Sequence, residues 1–121
     1  MNDKCPSYDI EIEQGANFYW IVEYYDKIDG VETPVDLTGY DAVMQIRKTP
    51  NSDLMDEYSV SNGIITFDEE NGKIIINAPA ADTEAYEDDF KGVYDIKLTS
   101  PSGFVERLVR GSAVVSAEVT Q

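Results

Sequence analysis

Asn62-Gly63-Ile64-Ile65-Thr66-Phe67-Asp68-Glu69-Glu70-Asn71-Gly72-Lys73-Ile74-Ile75-Ile76-Asn77 packs two strand-forming runs and two turn signals into one short stretch. The runs 64–67 and 73–77 are rich in β-branched and aromatic residues, which suit a pleated, half-buried surface. Asn-Gly is the strongest two-residue hairpin signal, because both residues tolerate the positive φ that a tight turn imposes. The acidic loop 68–72 joins the two runs and is long enough for a bulge. Adjacent antiparallel strands, and no helix, follow from this stretch.

The same grammar extends outward in both directions. Upstream, a weaker strand over Leu54 to Val60 runs into Asn62-Gly63. Before it, Ala42, Met44 and Ile46 face inward while Val43, Gln45 and Arg47 face out, until the turn cluster Thr49-Pro50-Asn51-Ser52. Pro34-Val35-Asp36-Leu37-Thr38-Gly39-Tyr40 reads as a bent connection with Leu37 and Tyr40 as core plugs, and Asp29-Gly30 as a hairpin turn. Asn17 to Tyr25 is a strand with Phe18, Trp20, Val22 and Tyr24 on one face and Tyr19, Ile21, Glu23 and Tyr25 on the other. Tyr8, Ile10 and Ile12 alternate with Asp9, Glu11 and Glu13, the period of a strand with one wet face. Downstream, 79–89 is the one helix-prone stretch, with Pro79 and Asp82 near its start. Strands over Val93 to Thr99, Phe104 to Arg110 and Ser112 to Val119 follow, separated by Pro101-Ser102-Gly103 and by a bend at Gly111.

About eight or nine short strands without a regular helical alternation predict an all-β, immunoglobulin-like antiparallel β-sandwich with one short helix near residues 80–88. A small closed barrel is the alternative. The expected organisation is an N-terminal arm over residues 1–7 and a single sandwich domain over 8–121, a size that can bury an adequate core without staples. Cys5 is the sole cysteine, so no intrachain disulfide is expected. No unbroken apolar run approaches the roughly 20 residues of a membrane span, and no apolar leader follows a basic start. A soluble, unsecreted protein is the expectation.

With 24 acidic and 9 basic residues, the formal net charge is −15, which repels nucleic acid phosphates and anionic lipid. Neither nucleic acid nor membrane is expected as a partner. The acidic excess reads first as solubility, and then as docking on a basic partner or as mimicry of DNA. There is no histidine, which removes the commonest general base and metal ligand and excludes Ser-His-Asp and Cys-His chemistry. Cys5 reads as an incidental thiol. The oxygen-rich stretches Asp68 to Asn71 and Glu84 to Asp89 lack the spacing of a calcium loop and read as a solvated turn and helix edge. No glycine-rich phosphate motif occurs. Catalytic, cofactor and metal sites are therefore all expected to be absent, and no cofactor is assigned.

What remains is the aromatic run at Phe18-Tyr19-Trp20 and Tyr24-Tyr25. Half of it must be core. The outward half, Tyr19, Ile21 and Tyr25, is the candidate partner interface, since aromatic residues dominate interface hot spots. A loop-covered satellite core and a carbohydrate-stacking platform are the other readings of the same residues.

Several phrases, Glu13-Gln14-Gly15 before the aromatic strand, Pro34 to Tyr40, Met44-Gln45-Ile46-Arg47, Tyr94-Asp95-Ile96-Lys97-Leu98 and Pro101-Ser102-Gly103, together resemble small β-sandwich structural proteins of tailed bacteriophages. That group includes tail, baseplate and fibre-attachment accessory proteins similar to the N-terminal module of baseplate upper proteins. The resemblance runs over roughly residues 10 to 118. It implies a non-enzymatic virion protein, assembled in the host cytoplasm, that adheres to other virion structural proteins as a homo-oligomer or symmetric array. An acidic DNA-mimic inhibitor of a host DNA-binding enzyme, and a carbohydrate-binding module of a host-recognition device, are the alternatives.

Overall fold

The computed structural model describes residues 5–120. Ten strands and one helical turn follow in order: β1 (Ile10–Glu13), β2 (Phe18–Glu23), β3 (Tyr25–Ile28), β4 (Val31–Pro34), β5 (Asp41–Arg47), β6 (Leu54–Ser59), β7 (Ile65–Asp68), β8 (Lys73–Ala78), α1 (Ala80–Thr83), β9 (Lys91–Thr99) and β10 (Val105–Ser116). A five-stranded sheet in the order β1-β10-β9-β5-β6 faces a three-stranded sheet in the order β2-β8-β7, and β3-β4 form a separate ribbon. All pairings are antiparallel except β1 with β10, which run parallel from Ile10↔Ala113 to Glu13↔Ser116.

This is the expected immunoglobulin-like β-sandwich, with β1, β10, β9, β5 and β6 in one layer and β2, β8 and β7 in the other. The fold carries no disulfide between the sheets. In its place Trp20 of β2 meets Tyr94 of β9 edge to face at 5.9 Å, so an aromatic contact joins the layers. Phe18 against Tyr58 at 6.2 Å adds a second bridge.

The core follows the alternation. Ala42, Met44 and Ile46 of β5, Tyr94, Ile96 and Leu98 of β9, and Ile74, Ile76 and Ala78 of β8 are all buried, and Ile10 and Ile12 close one edge. Leu37 is fully buried as the expected plug. Its turn is held by Asp36, whose carboxylate accepts bonds from the Thr38 N–H and hydroxyl, while Tyr40 N–H donates to the Leu37 carbonyl. Thr83, buried at the end of α1, donates to the Ala16 carbonyl at 2.7 Å and accepts from Gly15 N–H, which ties the crossover between sheets to the β1–β2 turn.

The strands number ten where eight or nine were expected, the helix is a single turn at Ala80–Thr83 within the expected 80–88, and two further elements differ from the expected pattern. The aromatic run 17–25 divides at Tyr24, whose N–H donates to the Gly72 carbonyl at 2.8 Å and whose carbonyl accepts from Val35 N–H at 3.0 Å. A Cβ on Gly72 would collide with the Tyr24 carbonyl oxygen, so glycine is required there for the chain to cross. Beyond Tyr24 the chain leaves the sheet as the β3–β4 hairpin, with Asp29 and Gly30 both at positive φ as a primed turn demands. In the C-terminal part, β10 runs unbroken through Gly111, and its irregularity lies between Arg107 and Val109. Gly111 instead admits the N-terminal segment, because a Cβ there would strike the Tyr8 carbonyl.

Of the N-terminal arm 1–7, residues 1–4 lie outside the described residues. Pro6 and Tyr8 pair with β10 through Arg110 N–H to the Pro6 carbonyl at 3.1 Å and Tyr8 N–H to the Arg110 carbonyl at 2.7 Å. The Tyr94 hydroxyl donates to the Tyr8 carbonyl and fixes the same segment from beneath.

Candidate protein interaction surfaces

Period two places Tyr19 and Ile21 on the outer face of β2, opposite Asn77 and Ile75 of β8. Tyr19 is 60 % exposed and Ile21 39 %. Half-buried Ile75 and exposed Thr66 of β7 continue the Ile21 row across the sheet. Tyr25, 39 % exposed, begins β3 rather than ending β2, and its hydroxyl leans back to the Glu23 carboxylate at 3.3 Å. Tyr19 and Ile21 thus share the outer face of β2, whereas Tyr25 belongs to the separate hairpin. Trp20 points the other way, half-buried between Tyr8 (stacked at 5.5 Å), Phe18 and Tyr94.

The hairpin adds to this surface in a way the sequence did not indicate. Every residue of β3 and β4 is exposed, including Ile28 at 61 % and Val31 at 62 %, which pair across the turn. Asp26, Ile28, Val31 and Thr33 share one face of the ribbon and Tyr25, Lys27, Glu32 and Pro34 the other. A lone two-stranded hairpin is marginal in water. This one is held at its base by Tyr24, half-buried, whose hydroxyl donates to the Glu106 carboxylate of β10. Burial, and then that carboxylate, push the Tyr24 phenol above its ordinary pKa.

A second surface lies on the opposite side, on the outer face of the five-stranded sheet. Arg47, Lys97, Arg107 and Arg110 line a groove of about 520 Å³ with Asp95, Val93 and Pro50. These include all three arginines of the chain. Arg107 and Arg110 are three apart, and a regular strand would send them to opposite faces. The register shift at Leu108 corrects this, pairing Arg107 with Lys97 and Arg110 with Asp95 so that both project into the groove. Arg47 is oriented by neutral acceptors, Nη1 to the Ser52 carbonyl at 2.7 Å and Nη2 to Gln45 Oε1 at 2.8 Å. Among the described residues the one ion pair is Arg107 Nε to Asp95 at 3.6 Å. The outward parity of Arg47 was legible in the sequence. The bulge that gathers the other two was not.

Cys5, half-buried, sits near Arg107 and Arg110. Burial raises its thiol pKa more than those cations lower it, which leaves the thiol protonated and a poor nucleophile. Among the described residues no three Cys, Asp or Glu side chains converge as a metal cluster requires. The Asp68 carboxylate accepts from Asn71 within its own turn. No helix among the described residues is long and apolar enough to cross a membrane.

The fold and these two surfaces define the class: an immunoglobulin-like sandwich that presents an exposed hairpin and a cationic groove. No protein-family model matches the chain, and no curated protein does. Among solved structures it is similar to extracellular domains 3–5 of Drosophila OTK, at 15 % identity and a TM-score of 0.37, over 94 % of this chain and 33 % of that one. It is also similar to the 2,6-sialyltransferase of Vibrionaceae Photobacterium sp. JT-ISH-224, at 17 % identity and a TM-score of 0.37, over 96 % of this chain and 19 % of that one. The chain thus spans a third and a fifth of these proteins, and likenesses of this size carry no functional argument.

Proposed function

We propose that the chain is a non-enzymatic structural or adaptor protein of a tailed bacteriophage particle, in the tail, neck, baseplate or fibre attachment. It acts through protein–protein interfaces with other virion proteins and with copies of itself. The observation that supports this reading most is the exposed apolar series Tyr19, Ile21, Tyr25, Ile28 and Val31, carried on an edge strand and on a hairpin that buries nothing of its own. Large aromatic and branched residues left in water at such positions mark association sites. The motif resemblance to phage sandwich proteins supplies the setting.

The test is native mass by light scattering at physiological salt, with mass spectrometry of purified particles. A discrete ring or tight binding to one virion protein is expected, together with the chain's presence in particles. A chain that stays monomeric, binds no virion protein and is missing from particles overturns the reading. Tyr19→Ser with Ile21→Ser should weaken the association without unfolding the sandwich, because neither side chain contributes to the core.

A further inference from the structure

The cationic groove has no evident structural purpose. Lys97 and Arg107 sit directly opposite each other on neighbouring strands, an arrangement that is destabilising in a sheet. A chain with 24 carboxylates could have placed an acid at either position. Arg47 is held rigid by two neutral acceptors and has no carboxylate partner among the described residues. A pre-oriented guanidinium without a counter-charge is suited to receiving a carboxylate from elsewhere, since its planar fork matches that group. The groove holds four cations and Asp95, a net +3, which leaves 23 acids against 5 bases, a net −18, on the remainder of the molecule.

The opposite need exists on the same chain. The β3–β4 hairpin is exposed on both faces and carries Asp26, Asp29 and Glu32 against Lys27 alone, a net −2 over residues 25–34. One of its faces combines Asp26 with Ile28 and Val31, and Asp29 stands at the tip. The groove combines an apolar part, Val93 and Pro50, with the cations around it. Charge and polarity therefore match feature by feature.

We propose that the groove receives the β3–β4 hairpin of a second copy of this chain. Ile28 and Val31 lie on Val93 and Pro50, and the Asp26 and Asp29 carboxylates meet Arg47, Arg107 and Arg110. The proposal rests on the reading of the chain as an assembling protein and names one of its contacts. Because hairpin and groove are different surfaces, the contact is heterologous, and repetition gives a closed ring or an open filament according to the rotation between copies. The overall negative charge opposes association at low ionic strength and is screened over about 8 Å at physiological salt, where a short-range contact of this kind operates.

Two variants test it: a groove variant, Arg107→Glu with Arg110→Glu, and a hairpin variant, Asp26→Lys with Asp29→Lys. All four positions are exposed, and a dispersed amide spectrum verifies that each variant folds. Each alone should self-associate at least about tenfold more weakly than the unmodified chain by sedimentation. Should the glutamates perturb β10, Arg107→Gln with Arg110→Gln gives the same readout with smaller loss. Mixing the two reversed variants pairs an intact hairpin with an intact groove at one junction and introduced lysines with introduced glutamates at the other, so both junctions attract. The mixture should therefore regain assembly, with the two variants alternating along it. Assembly of either variant equal to that of the unmodified chain, or a mixture that stays monomeric, overturns the proposal. If assembly survives both reversals but is lost in the Tyr19→Ser, Ile21→Ser variant, the groove contact is wrong and the proposed function stands. An unmodified chain that is monomeric yet binds citrate overturns the second copy as occupant in favour of a small polyanion.

Discussion

The Tyr86 hydroxyl has two partners in the interior, donating to the Asp56 carboxylate and meeting the Tyr58 hydroxyl at 2.6 Å. Tyr58 is fully buried on β6, and Tyr86 follows α1, so the trio ties the crossover to the edge of the large sheet. Tyr86→Phe strands the Tyr58 hydroxyl and should cost about 1–3 kcal/mol in urea unfolding, the range for a buried polar group that loses its partner. Tyr24, Tyr58, Tyr86 and Tyr94 all have phenol pKa values raised chiefly by burial. The native state then holds these protons more tightly than the unfolded chain does, so their contribution is intact below the ordinary tyrosine pKa of about 10 and is lost as pH climbs above it. Alkaline titration followed by tyrosinate absorbance should show these four ionising only with unfolding, and unfolding midpoints in urea should fall from about pH 10 upward. At this scale the sequence was legible where alternation decides: Tyr19 and Ile21 point out, Leu37 plugs the core, Trp20 turns inward. Tyr86 was not legible as a core residue, because 79–89 is acidic and its apolar positions have no period to read.

Among elements, β10 and the β3–β4 hairpin depart most from what periodicity can express. A bulge changes the face of every residue beyond it without leaving a composition signal, so the expected bend at Gly111 and the actual shift at Leu108 could not be told apart from residue types. Deleting Leu108 should restore strict alternation with Arg107 and Arg110 still outward and the Val109–Ala113–Val115 row still inward, because Leu108 is the one residue without a partner in the register. We expect cooperative thermal unfolding to survive this deletion, as it should in Leu108→Ala. The hairpin was half legible: Asp29-Gly30 announced the turn, while the division at Tyr24 depends on the Gly72 carbonyl, a contact distant in sequence. Since no β3 or β4 residue is buried, its amides should exchange with solvent much faster than those of β5, β9 and β10. Replacing residues 25–34 by a short turn should move the melting midpoint by less than about 4 °C, equivalent to roughly 1 kcal/mol in a domain of this size.

For the molecule as a whole, the class follows from turn spacing, whereas the order β1-β10-β9-β5-β6 does not, because pairing between strands far apart in sequence is set by which faces fit, not by local pattern. The net charge is a property of the whole as well. Self-repulsion at −15 should make the monomer less stable at low salt, so raising ionic strength from about 0.01 M to 0.1 M, which shortens the screening length from about 30 Å to about 10 Å, should raise the melting midpoint. An unchanged midpoint would mean that the acids are spread too widely to interact. The parallel pairing of β1 with β10 has a mechanical consequence. Tension applied through the two chain ends draws these strands in opposite directions along their common axis, so the backbone bonds between them bear the load together in shear and cannot be peeled open one by one. A protein tethered at both ends should therefore resist stretching until that whole strip yields at once, as a load-bearing link would.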